Sequence, residues 1–430
     1  MKHSIRTVSA VIMIAVILCG TAGCKSGGKS VKAGDLMEGV TAKPVATGRD
    51  AYEFSTDVND FAVRLFKSCG QTAKSGENVL ISPISVLLAL SMTANGANGE
   101  TLAQMEDVLG MKTGDLNEFA YAFLKSVSDD RKYKGTLMPA DSIWFKADPD
   151  FHVNKDFLQL NADYYNAQIY SEPFDETTLK AINKWVKDKT DGMIPTILDR
   201  IPENAIMYLV NALAFDAEWQ DIYKENQVRD DTFTTGGGEK KQLPFMFRTE
   251  NDYLEDDKAT GFIKYYRGKR YAFAALLPEE GITPEEYLSS LTGEHLSDMI
   301  ANAEGCEVRT SLPKFKTDYS VEMSDILKDM GMTLAFDTKN ARFDGIGYFD
   351  DPDYTISISR VLHKTFIEVD EKGTKAGAAT VVEMTKNDTS ALVDKPEPKK
   401  VYLTRPFIYM LIDAEANIPL FIGVMNDPEK

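Results

Sequence analysis

Residues 371–380 read Glu-Lys-Gly-Thr-Lys-Ala-Gly-Ala-Ala-Thr. Thr374, Ala376, Ala378 and Thr380 alternate along this stretch and are all small and uncharged, so in extended backbone they would share one face. A small neutral face can enter a closed sheet as a new strand. Among the intervening Lys375, Gly377 and Ala379 only Lys375 is charged, and it could remain in water on the other face. The same composition also suits a plain flexible linker. Beyond it runs a polar stretch to Lys400 that contains Met384, Thr385, Lys386 and Asn387. Taken alone, Lys386 reads as a solvated surface lysine. A long exposed connection between core strands is uncommon and is usually functional.

Bond-making chemistry by the chain itself is poorly provided for. The sequence has no G-x-S-x-G, H-E-x-x-H, P-loop, G-x-G-x-x-G or C-x-x-C pattern, and only 4 histidines. An enzyme is disfavoured, and neither a metal nor a cofactor is expected. Cys69 and Cys306 are the only cysteines of the body and read as semi-buried thiols rather than a disulfide framework. Net charge is −18, with no basic run longer than a triplet, which argues against a nucleic-acid partner. It fits an exported protein kept soluble by self-repulsion.

The elements that must position residues 371–380 can be read coarsely. Phe61, Leu65 and Phe66 share a helical face; Ile84 to Ala94 is a strongly apolar helix stopped by Asn95-Gly96; Leu102, Met105 and Val108-Leu109 form a stripe stopped by Gly110; and Leu179, Ile182 and Val186 form another. Later segments read as strands: Ala272–Leu277, the alternating stretch from Ile356 to Val369, and the pair Phe407–Ile412 and Leu420–Met425 as a buried hairpin. Helices early and strands later, without βαβ alternation, predict an α+β fold. With 43% hydrophobic residues the chain can bury a large core.

The N-terminus reads as an address. Lys2, His3 and Arg6 precede an apolar run from Val8 to Leu18, too short to span a bilayer but fitting a signal-peptide core. Thr21-Ala22-Gly23-Cys24 then resembles a bacterial lipobox, departing from it in Thr21, where leucine is usual. The resemblance implies acylation of Cys24. The organisation expected is a lipoprotein signal peptide over 1–23, a flexible Gly/Ser-rich tether over 24–49 and one domain over 50–430. The protein would be an exported bacterial lipoprotein, anchored at the cell envelope or surface and facing periplasm or exterior.

Glu371-x-Gly373-Thr374-x-Ala376-x-Ala378-Ala379-Thr380 resembles the hinge of inhibitory serpins. Asn78-Val79-Leu80-Ile81-Ser82-Pro83-Ile84-Ser85, Leu209–Phe215 with Trp219, Leu312-Pro313-Lys314-Phe315, His363-Lys364, Arg405-Pro406-Phe407 and Pro419–Gly423 with Asn426 and Pro428 resemble other serpin segments, in order, across residues 50–430. The resemblance implies a fold of three β-sheets and about nine helices that displays a reactive-centre loop as bait. It implies a monomeric suicide inhibitor of serine or cysteine proteases, most simply trypsin-like ones, with the protease as covalent partner. The cut loop enters the main sheet, and Thr374 to Lys386 at ~3.3 Å per residue would carry the protease roughly 40 Å.

Residue by residue, the resemblance makes Glu371, Gly373, Thr374, Ala376, Ala378, Ala379 and Thr380 the hinge. Ser82, Ser85, Asn211 and His363 match a buried polar cluster, the shutter. Trp219 matches the top of the sheet, where insertion begins. Counting from Glu371 places the reactive bond at Lys386 or Asn387, with Met384 and Thr385 as alternatives in a slipped register. Counting back from Arg405-Pro406 shifts it towards Lys395. Non-inhibitory serpins, acting as carriers or chaperones, often have bulky or charged hinge residues, which this chain lacks. A surface binding module is the remaining alternative.

Overall fold

The computed structural model describes residues 34–74, 76–129, 135–374 and 397–430. Among these residues it has nine α-helices and three sheets, of seven, nine and two strands. This is the expected α+β architecture.

The seven-stranded sheet positions the hinge. Its spatial order is Gly34–Asp35, Gln168–Glu172, Gly135–Lys146, Met207–Glu218, Gly373–Thr374, Arg360–Val369 and Phe315–Glu322. Met207–Glu218 lies at the centre and is almost wholly buried. Leu209, Leu213 and Phe215 point into the main core, whereas Tyr208, Val210, Ala212 and Ala214 pack in a second core with Ile182 and Val186 of the helix Glu176–Lys189. A strand covered on both faces has no need of polar alternation, which is why this segment reads as a continuous apolar run.

Beneath the sheet runs the helix Pro83–Ala94, every residue of which is buried. Its start is set by Ser82, whose hydroxyl accepts from Ser85 N, and by Pro83 in the first turn, whose missing N–H costs nothing there. The helix Gly99–Leu109 ends on Gly110 at φ 79°, a left-handed conformation that favours glycine. The predicted hairpin is present as Phe407–Asp413 against Ile418–Met425 in the nine-stranded sheet, with Tyr271–Pro278 alongside. The alternating stretch read from Ile356 becomes a strand at Arg360. Strands also lie among the early helices, at Gly135–Lys146 and Gln168–Glu172, so the order is more interleaved than the sequence suggested.

The expected tether needs correction over its second half. From Gly34 onward the chain is tied to the domain: Gly34–Asp35 pairs with Gln168–Glu172, Leu36 N donates to Ile169 O, and Lys43 N donates to Asp163. Arg49 bridges Asp115 and Glu118. Cys24 lies outside the described residues. Cys69 is buried and Cys306 half-buried, and both are free thiols.

Candidate functional site

The strands Met207–Glu218 and Arg360–Val369 run parallel and pair directly only from Tyr208–Arg360 to Leu213–Thr365. Past that row the direct pairing stops. Thr374 occupies the opening, opposite Ala217 on one side and Val369 on the other, with Gly373 opposite Glu218. The site is therefore a sheet opened at one end, with the first residues of the hinge already in place.

A tight turn delivers those residues. Asp370 Oδ1 accepts from Lys372 N at 2.7 Å and Gly373 N at 3.1 Å, and Asp370 N donates to Gly373 O. The loop after the central strand grips the turn from outside. Trp219 N donates to Lys372 O, its indole Nε1 to Asp370 O, and Tyr223 N to Glu371 O, all within 2.9 Å. A Cβ on Gly373 would lie 2.0 Å from Ala217 O, so the close approach of the two backbones requires glycine.

Thr374 is 1% exposed, and its hydroxyl bonds the Tyr266 hydroxyl at 2.5 Å. Tyr266 stacks on Trp219 with centroids 4.3 Å apart. Behind them Lys264 Nζ sits 5.2 Å from the Trp219 ring and 2.8 Å from Glu250 Oε1, with both partners buried. Burial depresses the Lys264 ammonium pKa and raises that of Glu250, while their mutual attraction opposes both shifts. At the rim, burial alone would raise the Glu371 carboxyl, but Lys314 at 2.5 Å outweighs it and leaves the pKa below the usual range.

About six residues further along the central strand, ~20 Å away, the two strands are locked together by side chains. His363 and Asn211 face each other across the parallel pair. Ser82 N donates to His363 Nε2 at 3.0 Å, which makes Nε2 the acceptor; the ring proton therefore sits on Nδ1 and is donated to Asn211 Oδ1 at 2.5 Å. Ser85 Oγ donates to the same oxygen at 3.1 Å. Burial pushes the His363 pKa down to about 3, so the ring is neutral at ordinary pH. Thr365 Oγ1 adds a bond to Leu80 O. Asn211 Nδ2 is buried without a hydrogen-bond partner among the described residues.

The structure thus brings Ser82, Ser85, Asn211 and His363 into one cluster and places Trp219, Glu371, Gly373 and Thr374 at the open end. Ala376, Ala378, Ala379, Thr380, Met384, Thr385, Lys386 and Asn387 lie outside the described residues. Sequence reasoning missed Tyr266, Lys264, Glu250 and Asp370. Lys264 alone offered a signal, as a lysine inside the apolar strand Ala259–Tyr265.

Comparison with known proteins agrees with this geometry. The model of the family Serpin (serine protease inhibitor) matches residues 56–428. An uncharacterised serpin-like protein of Thermococcus kodakarensis is 30% identical over 379 residues, covering 86% of this chain and 85% of its own. The thermophilic serpin tengpin in its native state is 45% identical, with a TM-score of 0.84 over 92% of this chain and all of tengpin. In its latent state tengpin gives a TM-score of 0.74 at 40% identity, over 90% of this chain and all of tengpin. The chain belongs to the serpin family.

Proposed function

We propose that this serpin inhibits serine endopeptidases, trypsin-like ones foremost, by offering Lys386 as bait and then inserting the cut loop between Met207–Glu218 and Arg360–Val369. The protease serine adds to the Lys386 carbonyl, the Lys386–Asn387 bond breaks, and the Asn387 amine leaves with the serine's proton. Insertion then drags the acyl-enzyme along the sheet before water can hydrolyse it. The observation that carries this reading is Thr374, buried in a sheet already opened beside it.

The register supports the particulars. Thr374 is level with Ala217, and each further inserted residue would step one place down the antiparallel neighbour. Ala378 would meet Leu213, the last row now paired directly, and from there the two strands must be unzipped. Thr380 would meet Asn211, where its hydroxyl can replace the hydrogen bond lost when His363 and Asn211 part and can accept from Asn211 Nδ2. Met384 would meet Met207, the first residue of the strand, so Lys386 falls just past its end. A bond at Lys395 would leave a long remnant beyond the sheet, which favours the count from the hinge.

Mixing the protein with trypsin and running a denaturing gel tests the reading. A covalent band at the summed mass is expected. Clean cleavage without it favours a carrier, and no cleavage favours a surface binding module. For location, the reading is an exported lipoprotein held by acylated Cys24, so Cys24→Ser should abolish acylation and release the protein from membranes; unchanged membrane retention would overturn it.

A further inference from the structure

The N-terminal segment and the far end of the proposed insertion share one row of the main sheet. Gly34 is level with Ser171, Ser171 with Phe145, and Phe145 with Met207. Gly34–Asp35 runs antiparallel to Gln168–Glu172, so Gly34 is the residue of its strand nearest the end of the sheet where the central strand begins. The hinge enters at the opposite end, level with Ala217. An inserted strand would leave the sheet level with Met207, in the row of Gly34 and four strand spacings from it, about 19 Å at ~4.8 Å each.

We propose that insertion carries the trapped protease to the end of the domain that faces the membrane, so that the finished complex lies against the lipid surface while the uncut bait is displayed at the opposite end. This rests on the inhibitor and lipid readings above. The lengths decide it. From Cys24 to Gly34 the chain spans ten residues, at most about 35 Å. A trypsin-sized protease of roughly 230 residues is about 45 Å across. Once such a protein sits within about 19 Å of the point where the tether leaves the sheet, it is thicker than the tether is long. However the domain leans, this end stays within the tether's reach of the bilayer. The end where the hinge enters, level with Ala217, lies ten residues further along the central strand, about 33 Å at ~3.3 Å each. The partner surface is thus lipid, met by the inhibited protease and not by the free one.

The test measures energy transfer from donor-labelled trypsin to acceptor-labelled lipid in phosphatidylcholine vesicles. Two anchored forms are compared: the native acylated chain, and the chain from residue 25 carrying an N-terminal hexahistidine on nickel-chelating lipid. For each, the covalent complex is set against the non-covalent complex with trypsin whose reactive serine is alanine. Transfer should be several-fold higher in the covalent complex. A Gly/Ser insertion of about twenty residues before Gly34 should bring it down towards the non-covalent value. Equal transfer in the two complexes, or transfer indifferent to the insertion, overturns the proposal. Failure to form any covalent complex removes the inhibitor reading and this proposal with it. Failure of the native chain alone to bind vesicles removes only the lipid reading, because the histidine-anchored form still reports the geometry.

Discussion

Two regions of the same strand pair hold the hinge sheet together in opposite ways. At the open end, Trp219, Tyr223 and Tyr266 grip the turn Asp370–Thr374 from outside, by stacking and by bonds to its backbone and the Thr374 hydroxyl. None of these contacts needs to break for more strand to follow Thr374. In the middle, His363 donates across the pair to Asn211, and Ser82 and Ser85 tie both to the helix below. Those contacts span the two strands that insertion must separate. If the loop inserts as proposed, one end is an entry already made and the middle is a gate. On the proposed mechanism, the cost of opening is concentrated in these few buried hydrogen bonds.

The largest effect should come from blocking the entry. Thr374→Arg would push a charge into a site that is now 1% exposed. An unpaired buried charge costs several kcal/mol. Insertion should stall and the acyl-enzyme hydrolyse, so trypsin should still cut near Lys386 while the covalent complex falls by tenfold or more, on the order of the rate change that 1.4 kcal/mol produces. An unaltered yield of complex on a gel would show that Thr374 does not lead insertion.

Next in size is the release of the whole device. Cutting the loop near Lys386 without trapping a protease should let it insert and raise the melting temperature by more than about 10 °C, given several kcal/mol gained and ~2–4 °C per kcal/mol. Calorimetry of cut and intact protein checks this; a cut form melting no higher than the intact one would remove the contrast between entry and gate.

The gate itself has a pH signature. Folded His363 titrates at about 3, whereas an unfolded histidine titrates near 6.5. Between those values the unfolded state binds the extra proton. The contribution of His363 is therefore fully present above about pH 6.5 and is lost as pH falls towards 3, by at most ~1.4 kcal/mol per pH unit. Urea unfolding from pH 6.5 to 5, above the range where most carboxylates titrate, should show this slope in the wild type and a shallower one in His363→Ala. Equal slopes would mean that His363 is not the buried neutral donor described above.

The smallest effect belongs to the grip. Tyr266→Phe removes the hydroxyl facing Thr374 but keeps the ring on Trp219. A loss of about 1 kcal/mol is expected, seen as a small fall in melting temperature with the complex yield changed less than by Thr374→Arg. A Tyr266→Phe variant as defective as Thr374→Arg would place the gate at the open end instead.

Much of the candidate site was legible in the sequence. The apolar helix from Ile84 was legible from local period, and Ser82, Ser85, Asn211, His363 and Trp219 from the family resemblance, whereas the alternating face beyond Thr374 lies outside the described residues. The packed stretch from Gly34 to Arg49 was not legible as such, because its composition is polar and its binding comes from an exposed sheet edge and the acids Asp115 and Glu118. Nor were the strands Gly135–Lys146 and Gln168–Glu172, whose residues take their state from the neighbours they pair with.

By itself, then, the sequence determined which segments could be helix or strand and which family the chain resembles, and it left residues 371–380 open between linker and strand. Only the tertiary structure decided that Thr374 is already seated, that Tyr266, 108 residues away, receives its hydroxyl, and that Lys264 and Glu250 are buried as a pair behind Trp219. It also decided that Gly34 and Met207 stand in one row. The physical reason is that backbone propensity and side-chain period act over a few residues, whereas sheet register sets which distant residues become level. Once strands pair, every row along them is determined together, and Thr374, His363 and Gly34 acquire positions that their own local sequence does not encode.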